Sequence, residues 1–174
     1  MIGGMGASVS NWELARTVAS CGQLGVVSGT ALETVVVRRL QNGDPGGHMR
    51  QALEHFPYQD VVERILETFF LENGRQGKPY RPIQKISIKA NKELDQLVVA
   101  ANFAEVWLAK QAGTGKVGIN FLEKLQTATP AALYGAMLAG VDAILMGAGI
   151  PREIPQLMTD FSQGKSGGLS IDSE

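Results

Sequence analysis

The chain has 174 residues, of which 44% are hydrophobic and 19% are charged, so it has the composition of a folded protein with one sizeable core. Its formal net charge of −1 gives no basic field for nucleic acid or anionic lipid, and neither is expected as a partner. No apolar run approaches the roughly 20 residues that span a bilayer, so we expect a cytoplasmic protein with no membrane partner.

The first part of the chain predicts a helix, a strand and a second helix. Ser10 or Asn11 can cap a helix that begins at Trp12, and Gly22 suits a left-handed C-terminal end. The short run LGVVSG lies between glycines and predicts a buried strand. Thr30 can cap the next helix, which covers ALETVVVRRLQNG.

The segment from about residue 44 to residue 112 is predicted to be a helical insertion. Apolar residues recur three and four apart over 47–55, 58–71 and 91–111, which predicts three helices. In the last of these the charged residues, Glu105 among them, fall mostly outside the apolar stripe. Between them, ENGRQGKPYRP has the composition of an exposed loop, and IQKISI predicts a short strand or an extended arm.

The last part of the chain returns to alternating strands and helices. VGINFL and VDAILMGAG predict strands, TPAALYGAMLAG predicts a helix entered through Thr129 and Pro130, and IPREIPQLMTDFSQG predicts a further helix. Residues 164–174 predict a mobile tail or a truncated linker. This alternation indicates an α/β fold with parallel strands, in the rhythm of a (β/α) barrel.

Several glycines follow the predicted strands, where parallel α/β folds bind their ligands. They are Gly29, Gly147, Gly149 and the opening Gly3, Gly4 and Gly6. A residue without a side chain lets backbone amides approach a flat ring or a phosphate. The alternative is that each glycine serves a tight strand-to-helix turn.

Asn120 interrupts an otherwise apolar strand, and a buried amide must find hydrogen-bond partners. We favour a ligand contact over a structural bond to a neighbouring loop. His48 and His55 have no third ligand at metal-site spacing, so no metal is predicted. No nucleophile elbow, Ser-His-Asp set or carboxylate pair identifies a catalytic residue.

Three segments together resemble the nitronate monooxygenases, also called 2-nitropropane dioxygenases: GGMGASVSNWELARTVASCGQLGVVSGTAL, VGINFLEKLQ and AALYGAMLAGVDAILMGAGIPREIP. The resemblance is closest to the branch that also looks like the enoyl reductases of polyunsaturated fatty acid synthesis. It implies an FMN-dependent TIM-barrel flavoprotein that oxidises alkyl nitronates with O2. The alternative is an enoyl reductase that acts on an enoyl thioester in fatty acid or polyketide synthesis.

The predicted cofactor-binding residues lie at the strand ends, and the resemblance gives most of them a role. They are Gly3, Gly4, Met5, Ser28, Gly29, Asn120, Gly147 and Gly149. In the family a Gly-Gly-Met turn packs its backbone against the flavin ring, an asparagine hydrogen-bonds the flavin, and a Gly-Ala-Gly turn lies near flavin and substrate.

The family continues with further strands, a Gly-Gly-His stretch with a candidate catalytic histidine, and glycine loops around the FMN phosphate, which this sequence lacks. A complete barrel needs roughly 250 residues, and only four strands are predicted, the first shortened to MIGG. Residues 1–163 therefore predict the N-terminal half of a TIM barrel, whose exposed edges favour self-association. The alternative to an active enzyme is an inactive fragment that cannot hold FMN.

Overall fold

The structure, a computed structural model, describes residues 1, 4, 6–87, 89, 91–111, 113 and 115–170. Within them the chain forms seven α-helices, one short 3-10 helix and a three-stranded parallel sheet. The predicted α/β class with parallel strands is confirmed. The strand predicted at MIGG includes Ile2 and Gly3, which lie outside the described residues.

The first three elements follow the predicted order. Helix α1 spans Trp12–Ser20, strand β1 spans Leu24–Ser28 and helix α2 spans Leu32–Gln41. The Asn11 side chain caps α1 by accepting the Leu14 N–H at 3.0 Å, and Gly22 has the predicted left-handed φ of +72°. The predicted Thr30 N-cap is wrong, because the N-cap of α2 is Ala31, which has a φ of +53° and makes no side-chain cap hydrogen bond.

The predicted insertion is helical. After a 3-10 turn at Pro45–Gly47, helix α3 spans His48–Glu54, α4 spans Gln59–Phe69 and α5 spans Lys92–Lys110. The segment 72–82 contains neither helix nor strand, as predicted for an exposed loop. Residues 83–87 form no strand, and Ile88 lies outside the described residues.

The remaining elements complete the sheet and its helical cover. Strand β2 spans Lys116–Leu122, α6 spans Thr129–Leu138, β3 spans Ala143–Gly147 and α7 spans Ile154–Ser162. The strand order is β1-β2-β3, so β2 lies in the centre. Of the predicted tail, the described part includes Ser170, whose backbone N–H and hydroxyl donate to the Glu153 carboxylate at 2.9 and 2.8 Å.

The core lies between the sheet and α5, which contacts five of the other helices: α1, α2, α3, α4 and α6. Leu108 of α5, Ile119 of β2 and Leu133 of α6 are among its fully buried side chains. Each such side chain contributes roughly 1.5–3 kcal/mol through burial. The apolar burial that stabilises the fold therefore lies on the side of the sheet that faces the helices.

Because α5 is surrounded by helices, one of its charged residues is buried. Glu105 is 0% exposed, accepts the Trp12 N–H at 2.9 Å and pairs with the Arg39 guanidinium at 2.5 Å. Burial raises the pKa of the Glu105 carboxyl, and the Arg39 charge opposes that rise. The expectation that Glu105 lies outside the buried stripe is wrong, since neighbouring helices cover more than one face of α5.

Candidate functional site

The carboxyl ends of the three parallel strands meet at one edge of the sheet, which we call the carboxyl edge. In the strand register Ser28 lies opposite Asn120, and Leu122 lies opposite Gly147. The Gly29 N–H extends the β1–β2 ladder by donating to the Asn120 carbonyl at 2.9 Å. Predicted site residues from all three strands are therefore brought to the same edge.

The chain ahead of α1 crosses the carboxyl edge, and we call residues 4 and 6–10 the N-terminal segment. The Asn120 Nδ2 donates to the Gly4 carbonyl at 2.6 Å. The Ser28 hydroxyl lies 2.9 Å from the same oxygen and 2.5 Å from the Gly6 carbonyl. Gly4 thus joins Ser28 and Asn120, whereas the predicted Gly3 and Met5 lie outside the described residues.

The oxygen of the Asn120 amide differs from its nitrogen in lacking a hydrogen bond to the described residues. Asn120 is 8% exposed, and its Oδ1 has no hydrogen-bond partner among the described residues. An unsatisfied buried acceptor costs about 1–3 kcal/mol, which a ligand N–H or O–H would recover. The amide orientation is fixed by chemistry, because a flipped amide would place two acceptor oxygens, Oδ1 and the Gly4 carbonyl, against each other.

At the third strand the carboxyl edge is lined by a carboxylate that was not among the predicted site residues. The Glu123 N–H donates to the Gly147 carbonyl at 2.9 Å, and its carboxylate accepts from Gln126 Nε2 at 3.2 Å. A Cβ added at Gly149 would overlap the Glu123 side chain. The signal for it in the sequence is its position directly after the strand that carries Asn120.

The glycines of the carboxyl edge are explained in part by packing. A Cβ at Gly29 would overlap the Phe121 ring and the Asn120 carbonyl, so the chain itself requires glycine there. At Gly149 a Cβ would meet only the flexible Glu123 side chain, which can move aside, so packing does not require glycine there. For Gly29 the structural alternative is therefore sufficient without a ligand, and Asn120 is the more informative residue.

A cavity of about 220 Å³ opens between the ends of β2 and β3 and the start of α7. Its polar lining includes Glu123, Gln126, Arg152 and Glu153. Met146 of β3 contributes to its apolar wall. This cavity extends the carboxyl edge away from Asn120 and provides charged groups of both signs.

The two histidines pack against aromatic rings. His48 lies 4.9 Å from the Trp12 ring centroid, and His55 stacks on Trp107 at 4.3 Å. In the described part of the chain, no three His, Cys, Asp or Glu residues are grouped so that they could hold a metal ion. Among the same residues, no helix has the length and apolar character needed to cross a membrane.

Comparison with known proteins gave no match: no family model matches the sequence, and neither does a curated protein or a solved structure. The function of the site is therefore inferred from its geometry alone. That geometry offers a buried amide oxygen without a partner, beside backbone groups at the carboxyl edge of a parallel sheet. Such an edge is where parallel α/β proteins bind small molecules and cofactors.

Proposed function

We propose that this chain forms part of the flavin site of an FMN-dependent oxidoreductase of the nitronate monooxygenase type. The observation that carries the proposal is the buried Oδ1 of Asn120, which lacks a partner at the carboxyl edge. A flavin ring carries an N–H between two carbonyl groups, and this donor suits that acceptor. The three parallel strands are in this proposal part of a (β/α)8 barrel.

The chain's own residues would hold and orient the ring. Asn120 accepts the ring N–H through Oδ1, while its Nδ2 remains on the Gly4 carbonyl and fixes the amide. Ser28 holds the same carbonyl and so keeps the N-terminal segment against the edge. The glycine turn at Gly147 and Gly149 forms the far side of the site.

FMN, when bound, supplies the redox chemistry by taking electrons from the substrate and passing them to O2. The substrate we propose is a small alkyl nitronate, and an enoyl thioester reduced with NAD(P)H is the alternative. We place this enzyme in the cytoplasm. Self-association is also proposed, because all five residues of β3 are only half-buried and its outer edge has no partner strand in the described chain.

The flavin proposal is tested by titrating FMN into the purified chain and following the flavin bands near ~370 and ~450 nm. Asn120→Leu removes the acceptor, together with the Nδ2 donor to the Gly4 carbonyl, at similar volume and should weaken FMN binding at least about tenfold, the value of one hydrogen bond. Asn102→Leu is the matched control, since Asn102 also carries a buried unpaired Oδ1 but lies on helix α5. Its FMN affinity should equal that of the wild type.

A colourless chain that fails to bind added FMN, or equal affinity in Asn120→Leu and wild type, would contradict the proposal. The first result would leave the inactive-fragment alternative in place. If FMN binds, oxygen uptake with an alkyl nitronate distinguishes the monooxygenase from the enoyl reductase. The reductase would instead consume NAD(P)H in the presence of an enoyl thioester.

A further inference from the structure

A second cavity lies beside Phe121 of β2 and reaches the carboxyl edge at Gly29. Successive side chains of a strand point to opposite faces, so Phe121 faces the helices while Asn120 faces the N-terminal segment. The cavity measures about 310 Å³, at the small end of ligand pockets, which span about 300–1,000 Å³. Glu33, Asn102 and Phe121 line it together with Gly29 of the carboxyl edge, whereas Ser28 and Asn120 do not.

Asn102 reaches this cavity from the middle of α5. It is 1% exposed, and its Nδ2 donates to the Val98 carbonyl one helical turn earlier at 2.9 Å. Its Oδ1 has no hydrogen-bond partner among the described residues. A buried amide oxygen left in this state costs about 1–3 kcal/mol, so a donor supplied by a ligand would stabilise the protein.

Glu33 brings a carboxylate to the same cavity from the first turn of α2. It is 6% exposed, and the Thr34 hydroxyl donates to its Oε1 at 3.3 Å. Burial raises the pKa of this carboxyl, and hydrogen bonds from the Glu33 and Thr34 backbone oppose the rise. None of the described lining residues is Lys, Arg or His, so no cationic side chain in the cavity wall faces this carboxylate.

The rest of the wall is mostly apolar. Val98 of α5, Phe121 and Leu122 of β2 and Ala132 of α6 contribute to it, together with Leu125. Such a wall favours a short hydrocarbon chain through burial of apolar surface. Three threonines, Thr30, Thr127 and Thr129, also line the cavity. It therefore combines a mostly apolar wall with the buried oxygens of Asn102 and Glu33, of which the Glu33 carboxylate can carry a negative charge.

We propose that this cavity binds a small aliphatic ammonium ion whose head group donates to Asn102 Oδ1 and is neutralised by Glu33. The alkyl chain of the ligand lies against Val98, Phe121 and Ala132. An ammonium group has three N–H donors and a positive charge, and it suits this acceptor set better than an alcohol or a carboxylate. The cavity adjoins the carboxyl edge at Gly29, but Glu33 and Asn102 are not among the residues proposed to hold the flavin.

The test is calorimetric titration of the chain with n-pentylamine at pH 7, with 1-pentanol and pentanoate as probes of equal chain length. We expect pentylamine to bind, pentanol to bind at least tenfold more weakly, and pentanoate to give no signal. Absence of pentylamine binding, or equal binding of pentanol or pentanoate, overturns the proposal.

Two variants then test the polar groups separately. Glu33→Gln keeps the side-chain shape without the charge, and Asn102→Leu removes the unpaired oxygen at similar volume. Each should lower the pentylamine affinity at least tenfold, with the fold checked by circular dichroism. Asn120→Leu is the matched control and should bind pentylamine as the wild type does.

Unchanged affinity in either folded variant overturns the assignment. If Asn102→Leu fails to fold, Glu33→Gln decides the matter alone. Failure of the chain to bind FMN contradicts only the flavin proposal, because the two tests use different probes and different asparagines.

Discussion

The two faces of strand β2 differ in how the rest of the chain covers them. On the helix side Val117, Ile119 and Phe121 are buried in the continuous apolar core. On the other side Asn120 contacts the N-terminal segment through one hydrogen bond, from its Nδ2 to the Gly4 carbonyl. The same strand therefore contributes apolar packing on one face and, on the other, an Asn120 side chain whose Oδ1 has no hydrogen-bond partner among the described residues.

The largest expected effect comes from removing packing on the helix side. Ile119→Ala should lower the free energy of unfolding by about 2–5 kcal/mol, because Ile119 is fully buried and the helices above it cannot close the cavity. Leu145→Ala is the control on the Asn120 face, and its half-buried side chain should cost about 1 kcal/mol. Urea unfolding measures both, and equal costs would contradict the contrast between the faces.

The next effect concerns the buried ion pair within the helical layer. Arg39→Met leaves the Glu105 carboxylate without its counter-charge and should cost about 3 kcal/mol. Arg64→Met is the control, because Arg64 pairs with Asp60 at 3.8 Å on the surface and should cost at most about 0.5 kcal/mol. Urea unfolding measures the free energy lost in each variant, and equal losses would contradict this prediction.

The raised pKa of the Glu105 carboxyl also predicts that the free energy of unfolding changes with pH. Since burial raises the Glu105 pKa above its ordinary 4.5, the folded chain holds this proton more tightly than the unfolded chain. The associated stability is fully present below pH 4.5 and is lost as the pH rises through the raised pKa. As the pH rises from 4 to 8, the free energy of unfolding of the wild type should fall relative to that of Glu105→Gln. Parallel curves for the two proteins would refute this prediction.

The smallest effect is expected on the side of the N-terminal segment. Ser28→Ala removes the hydroxyl beside the Gly4 and Gly6 carbonyls and should cost about 1 kcal/mol. It should also speed hydrogen exchange of the Val9 amide, which donates to the Gly6 carbonyl at 3.1 Å. Ser20→Ala, at an exposed serine of α1, should leave the Val9 exchange rate unchanged, and faster exchange in both variants would point to a general loosening.

Local signals in the sequence were sufficient for most elements of the fold. Asn11 and Gly22 bound α1 because capping and left-handed ends depend on neighbouring residues only. The start of α2 was not predictable in this way, since Ala31 adopts a left-handed φ that alanine rarely takes. The burial of Glu105 depends on α1 and α2 packing around α5, which no single helical pattern reveals.

The candidate site was predictable as a location rather than as a set of contacts. Glycines and Asn120 at strand ends indicated the carboxyl edge, because parallel strands bring these ends together. The bond between Asn120 and Gly4 joins residues 116 positions apart and required the assembled sheet. Asn102 was missed because polar residues within a long apolar helix are ordinarily assigned to its solvent side.

The Gly4 carbonyl also has a consequence for how the sheet is assembled. It accepts from Ser28 and Asn120 together only because these residues are partners across β1 and β2. A slip of one position between the strands would bring the apolar Val27 opposite Asn120 and separate the two donors. The two hydrogen bonds to this single backbone oxygen thus favour the observed alignment of β1 and β2 over a slip of one position.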